Sequence, residues 1–143
     1  MQINTDLILK YNQPGPRYTS YPPANYFHTA ITVEDFKKAI IQSNSEKPES
    51  ISLYVHIPFC PRLCHFCGCN TSGSMNKELH RNYIDAVKKE INNVADLLDK
   101  NRKVSQIHWG GGTPNSISLS LVQEIMDLFK KRFSFEEYAE IAM

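Results

Sequence analysis

The sequence predicts an α/β fold built on a parallel sheet. Three observations carry this. Ile51, Leu53, Val55 and Ile57 alternate with Ser52, Tyr54 and His56, the period of a strand. Two more strand patterns follow, from Val104 to Trp109 and from Glu137 to Met143. The stretches between them are long enough to be helices and carry apolar residues at every third or fourth position. A strand-loop-helix-strand-loop-helix-strand order with such connections implies right-handed crossovers and parallel strands.

Residues 1–50 are read as an N-terminal segment of short helices and irregular chain, and 51–143 as the αβ part. Leu7, Ile8 and Tyr11 suit one face of a short helix begun at Thr5 or Asp6. Pro14 to Pro23, which contains Arg17-Tyr18-Thr19-Ser20-Tyr21-Pro22, is too rich in proline for regular structure. Thr32 reads as an N-cap with Asp35 three residues on, and Phe36, Ala39 and Ile40 form the stripe of the helix it opens. A polar loop, Glu46 to Glu49, leads into the first strand, which Pro58 stops. Asn76 caps a long helix whose expected stripe is Leu79, Tyr83, Val87, Ile91, Val94 and Leu98. The second strand ends at Gly110-Gly111-Gly112-Thr113-Pro114, and Trp109 is expected in the core. Ser118 or Ser120 opens the last helix, with Leu121, Val122, Ile125, Met126 and Phe129 inward. The cysteine-rich and glycine-rich loops thus follow the carboxyl ends of strands, the edge where α/β sheets place their chemistry.

Composition narrows the classes. Of 143 residues, 41% are hydrophobic and 22% charged, the balance of a globular chain. Sixteen Lys and Arg against 15 Asp and Glu give no support for a nucleic-acid partner. No apolar run approaches a membrane span, and the amino end lacks the pattern of a signal peptide.

All four cysteines fall between Cys60 and Cys69. Bridges among them would close very small loops, so a disulfide framework is disfavoured and a reducing cytoplasm with metal-holding thiolates is expected. Structural zinc usually joins two separated ligand pairs. Cys60, Cys64 and Cys67 are local, in the spacing C-x3-C-x2-C, which suits an iron–sulfur cluster whose own sulfides complete each iron. Three ligands on a cubane leave one iron open to a chelating small molecule. A zinc loop is the alternative. His56, His65 and His108 are read as hydrogen-bonding rather than ligating. The glycine loop has neither the Gly-Lys-Ser/Thr ending of a phosphate loop nor G-x-G-x-x-G spacing. It is either a tight turn or a place where a ligand nears the backbone.

C-x3-C-x2-C directly after a strand resembles the radical S-adenosylmethionine family. Tyr54 to Cys60, Cys64 to Asn70, His108 to Pro114 and Arg17 to Pro22 together resemble its oxygen-independent coproporphyrinogen III oxidases, over essentially the whole chain. The resemblance implies the first βα units of a partial (β/α) barrel and a 4Fe-4S cluster on Cys60, Cys64 and Cys67. It also implies two S-adenosylmethionine molecules bound by Tyr54, Phe66, Gly111, Gly112 and Thr113, with Tyr54 at the first and Phe66, Gly112 and Thr113 at the second. Cys69 is expected near the site, not on the cluster, in an unspecified role. The implied reaction is radical oxidative decarboxylation of coproporphyrinogen III to protoporphyrinogen IX in heme biosynthesis. An unidentified low-potential electron donor would feed a cytoplasmic, monomeric parent protein. A heme-chaperone relative without oxidase activity is the second reading, against which Cys69 and Arg17 to Pro22 argue; a zinc-stapled interaction module is the third. Three strands with an open edge suggest the front part of a longer protein. Glu140 does not align with the carboxylate that the resemblance places on the ribose, just past Met143. The chain alone is therefore expected to lack turnover.

Overall fold

The computed structural model describes residues 5–12, 26–46 and 48–143. All of Pro14 to Pro23, with the stretch Arg17 to Pro22 in it, lies outside them. Contacts divide the chain into two units, Met1–Val33 and Glu34–Met143. The first unit contains α1, Thr5–Tyr11, whose Leu7, Ile8 and Tyr11 are all exposed.

The second unit holds nearly all of α2, Val33–Ser43, followed by β1, Ile51–Ile57. Helix α2 begins directly after Thr32, as expected, but its stripe is not buried. Phe36 and Ala39 are exposed and Ile40 is half-buried. Polar bonds fix its carboxyl end instead. Asn44 donates to the Leu97 carbonyl at 2.9 Å and accepts from the Asp99 amide at 3.0 Å. The Arg102 guanidinium donates to Ser43 Oγ at 2.9 Å and to the carbonyls of Pro48 and Glu49, each at 3.1 Å.

The remaining elements are β2, Phe59–Cys60; β3, Ser72–Gly73; α3, Lys77–Ala95; β4, Lys103–Gly111; α4, Leu119–Arg132; and β5, Ser134–Ala142. A single 3-10 turn, Pro114–Ser116, precedes α4. The main sheet has the order β1-β4-β5, with both pairings parallel. This is the parallel α/β arrangement expected. Two strands differ in their bounds. β4 runs from Lys103 through Gly111, so the first two glycines belong to the ladder; β5 starts at Ser134, not Glu137.

One sheet face is apolar and covered. Val55, Ile57, Ile107 and Trp109 pack with Ile84 and Ile91 of α3 and Leu121, Ile125 and Phe129 of α4. Each such side chain contributes roughly 1.5–3 kcal/mol on burial. The ridge of α3 differs from the expected stripe. His80, Ile84, Ile91 and Ala95 are buried, Leu79 is exposed, and Leu98 lies beyond the helix end. Tyr83, Val87 and Val94 flank the ridge half-buried. Asn76 does cap α3, its Oδ1 accepting from the amides of Glu78 at 2.9 Å and Leu79 at 3.2 Å. Ser118 is the N-cap residue of α4, but its hydroxyl bonds Ser120 rather than a helix amide. Among the described residues, no helix is long and apolar enough to cross a membrane.

Helices α3 and α4 are also joined by charge. Arg81 grips Glu124 with bonds of 2.8 and 2.7 Å, and Lys88 adds one of 2.9 Å. The Arg81 hydrogen bonds, then Lys88, hold the Glu124 carboxyl below its ordinary range. A depressed folded-state value stabilises the fold above the ordinary carboxylate range, and that share disappears as pH falls through the depressed value. The gap in urea midpoint between the native chain and E124Q is therefore expected to be small, to narrow on acidification and to shrink in high salt. A gap that widens towards acid would contradict the sign.

Candidate iron–sulfur and cofactor site

The second sheet face is polar at its carboxyl end. Tyr54 and His56 project opposite Val55 and Ile57, and Tyr54 pairs in register with His108. Their rings stack with centroids 6.0 Å apart and planes 11° from parallel. Tyr54 Oη lies 3.2 Å from His56 Nδ1, and His56 Nε2 lies 2.9 Å from the Asn70 carbonyl. His56 thus ties the end of β1 to the far limb of the cysteine loop, the hydrogen-bonding role read for it. From the covered side, the Tyr83 hydroxyl donates to the His56 carbonyl at 2.6 Å, and burial pushes that phenol up.

The cysteine loop has a closed neck that periodicity does not reveal. β2 and β3 pair in parallel, Phe59 with Ser72 and Cys60 with Gly73. The Ser72 amide adds a bond of 2.6 Å to the Pro58 carbonyl. Phe59 is buried beneath the neck, its ring 4.2 Å from that of His80 and edge-on to Tyr83 at 5.3 Å. His80 in turn bonds the Ser74 carbonyl at 3.0 Å, which is how a polar ring is accommodated in the core.

The glycine loop docks on this neck through its backbone. The Gly112 amide donates to the Ile57 carbonyl at 2.8 Å, and the Thr113 amide to that of Phe59 at 3.0 Å. Ser116 Oγ donates to the same Phe59 carbonyl at 3.0 Å. Gly111 adopts a φ of +107°. A Cβ on Gly110 would stand 2.6 Å from Tyr54 Oη, and one on Gly112 would stand 2.7 Å from Cys60 Sγ. The absent side chains therefore make room for the chain's own Tyr54 and Cys60.

Cys60 is buried, while Cys64, Cys67 and Cys69 are exposed. Thr113 Oγ1 donates to Cys60 Sγ at 3.4 Å. The Thr71 hydroxyl lies 3.5 Å from Cys67 Sγ and, ahead of the Cys69 backbone, lowers the Cys67 thiol. A lowered thiol is more readily the thiolate that metals need. Among the described residues, no three His, Cys, Asp or Glu side chains are gathered at metal-holding distance. Thiols have no attraction for one another that would gather them, and metal binding supplies it. The donor set nevertheless fits a cluster: one enclosed sulfur on a rigid neck and two accessible ones on the same short loop. Phe66 is fully exposed, so it does not pack under the loop. Sequence reading missed Asn70, Thr71 and the Thr113 hydroxyl as partners. Their only signal is proximity in sequence to the cysteines or glycines.

The Radical SAM superfamily profile matches residues 54–141. An oxygen-independent coproporphyrinogen III oxidase of Synechocystis is 43% identical over all of this chain and 30% of its own length. One from Mannheimia haemolytica is 44% identical over 96% of this chain and 91% of its own length. The solved structure of coproporphyrinogen III oxidase from Escherichia coli, a radical SAM enzyme, superposes with a TM-score of 0.81 and 39% identity. It covers 98% of this chain and 30% of that one. The chain spans about a third of the length of most of the curated relatives it matches. A strand–cysteine loop–helix unit, the glycine loop locked onto it, and these likenesses agree: the chain belongs to the radical SAM superfamily and, within it, to the family of the oxygen-independent coproporphyrinogen III oxidases.

Proposed function

We propose that this chain is the cluster- and cofactor-binding portion of an oxygen-independent coproporphyrinogen III oxidase. The parent reaction would turn two propionates of coproporphyrinogen III into vinyl groups, each losing CO2, one hydrogen atom and one electron. The observation that carries this reading is the enclosure of Cys60 by the glycine loop, with Cys64 and Cys67 exposed beside it. Family membership brings a 4Fe-4S cluster and S-adenosylmethionine, which together supply a radical able to take an unactivated hydrogen.

Cys60, Cys64 and Cys67 would hold the cluster. Tyr54, Gly111, Gly112, Thr113 and Phe66 would bind S-adenosylmethionine, two molecules in all. Tyr54 is suited to this because His108 and His56 hold its ring in place from the same sheet face. Cys69 would act beside the cluster without ligating it. A low-potential electron donor would serve a monomeric, cytoplasmic parent. Tyr54 and Phe66 are exposed here, whereas radical chemistry needs a site closed to water, so the isolated chain would hold iron without turnover.

The test is iron, sulfide and zinc analysis of chain purified without oxygen. About four irons and four sulfides per chain are expected. Stoichiometric zinc with no iron would overturn the assignment, and protoporphyrinogen formed by the isolated chain would overturn the expected lack of turnover.

A further inference from the structure

We infer that Thr113 is a positioning residue for the Cys60 sulfur and, through it, sets how easily the cluster is reduced. The inference rests on the cluster assignment above and goes beyond the cofactor contact implied for Thr113. Four observations carry it. Cys60 is the only buried cysteine. The glycine loop lies so close that a Cβ on Gly112 would reach 2.7 Å from its sulfur. The Gly112 and Thr113 amides are already committed to the carbonyls of Ile57 and Phe59. The Thr113 hydroxyl is therefore the donor that this loop directs at the sulfur, at 3.4 Å.

A hydrogen bond to a ligating thiolate draws charge from it and favours the more negative, reduced cluster. Removing the donor makes reduction harder. The bonds to Ile57 and Phe59 fix the loop backbone independently of the hydroxyl, so the effect is separable from the fold.

The experiment is a potentiometric titration of the cluster reconstituted in the full 143-residue chain. Dithionite supplies the single electron, and the reduced cluster is followed by electron paramagnetic resonance. S-adenosylmethionine is left out, so any role of Thr113 in binding it does not enter. Thr113→Val is expected to disfavour reduction about threefold, roughly 30 mV more negative at about 59 mV per tenfold for one electron. Thr113→Ser should titrate like the native chain. Equal potentials for T113V and the native chain, at equal iron content, would overturn the inference while leaving the cluster assignment intact. If T113V takes up no iron, T113A makes the same comparison. Loss of iron from both overturns the inference, because the hydroxyl would then be needed for cluster assembly rather than for tuning its reduction. A native chain that takes up no cluster sinks the assignment itself and this inference with it.

Discussion

Alanine at Cys60, Cys64 or Cys67 is expected to abolish iron–sulfur uptake, while alanine at Cys69 leaves it intact. A cubane on three thiolates has no spare protein ligand, so losing any one leaves two irons open. The three losses should differ in what else they do. Cys64 and Cys67 are exposed, and replacing them should leave the thermal stability of the metal-free chain within about 0.5 kcal/mol. Cys60 is 7% exposed and receives the Thr113 hydroxyl, so C60A should also destabilise the metal-free chain modestly. Iron and sulfide analysis beside circular-dichroism melting separates lost ligation from lost folding. Full uptake by C67A, or loss of uptake in C69A, would contradict the assignment of ligands.

Alanine at Gly111 is expected to destabilise the fold by about 2–4 kcal/mol, from a disfavoured positive φ plus overpacking. The added carbon would stand 2.6 Å from the Ile57 carbonyl oxygen and 3.0 Å from His56 Nε2. Neither can yield easily. The Ile57 oxygen accepts from the Gly112 amide, and Ile57 faces Gly111 across the parallel ladder. His56 is held by Tyr54 and Asn70. Gly73→Ala is the control: its Cβ would meet only the Leu63 side chain, 3.2 Å from Cγ, and a side chain can turn aside. Urea denaturation of the two variants should show a large loss for G111A and little for G73A. Similar midpoints would show that the glycine loop does not sit on β1 as described.

The sheet and its long helices were legible because their signals are repeated many times. Ile51 to Ile57 alternates cleanly, and Leu121, Ile125 and Phe129 recur on one helix face. Features held by a few polar bonds were not legible. The neck made by Phe59–Cys60 and Ser72–Gly73 is too short to show a period. His80 is outside the apolar stripe expected for α3, and only Phe59 and the Ser74 carbonyl beside it explain its burial. The stripe on α2 suggested burial, but Asn44 and Arg102 hold that helix by its end. In the site, cysteine spacing pointed to the metal chemistry. The glycines were harder to read, since only the docked structure shows that Tyr54, Ile57 and Cys60 occupy the space beside them.

The enclosure of Cys60 has a practical consequence for anyone wishing to miniaturise this chemistry. A synthetic peptide copying the cysteine loop would carry every sulfur yet omit a partner that lies 53 positions further along the chain. Such a mimic should assemble its inorganic core in a wetter and more heterogeneous setting. A faithful miniature must carry the distant threonine and its glycines as a second strand.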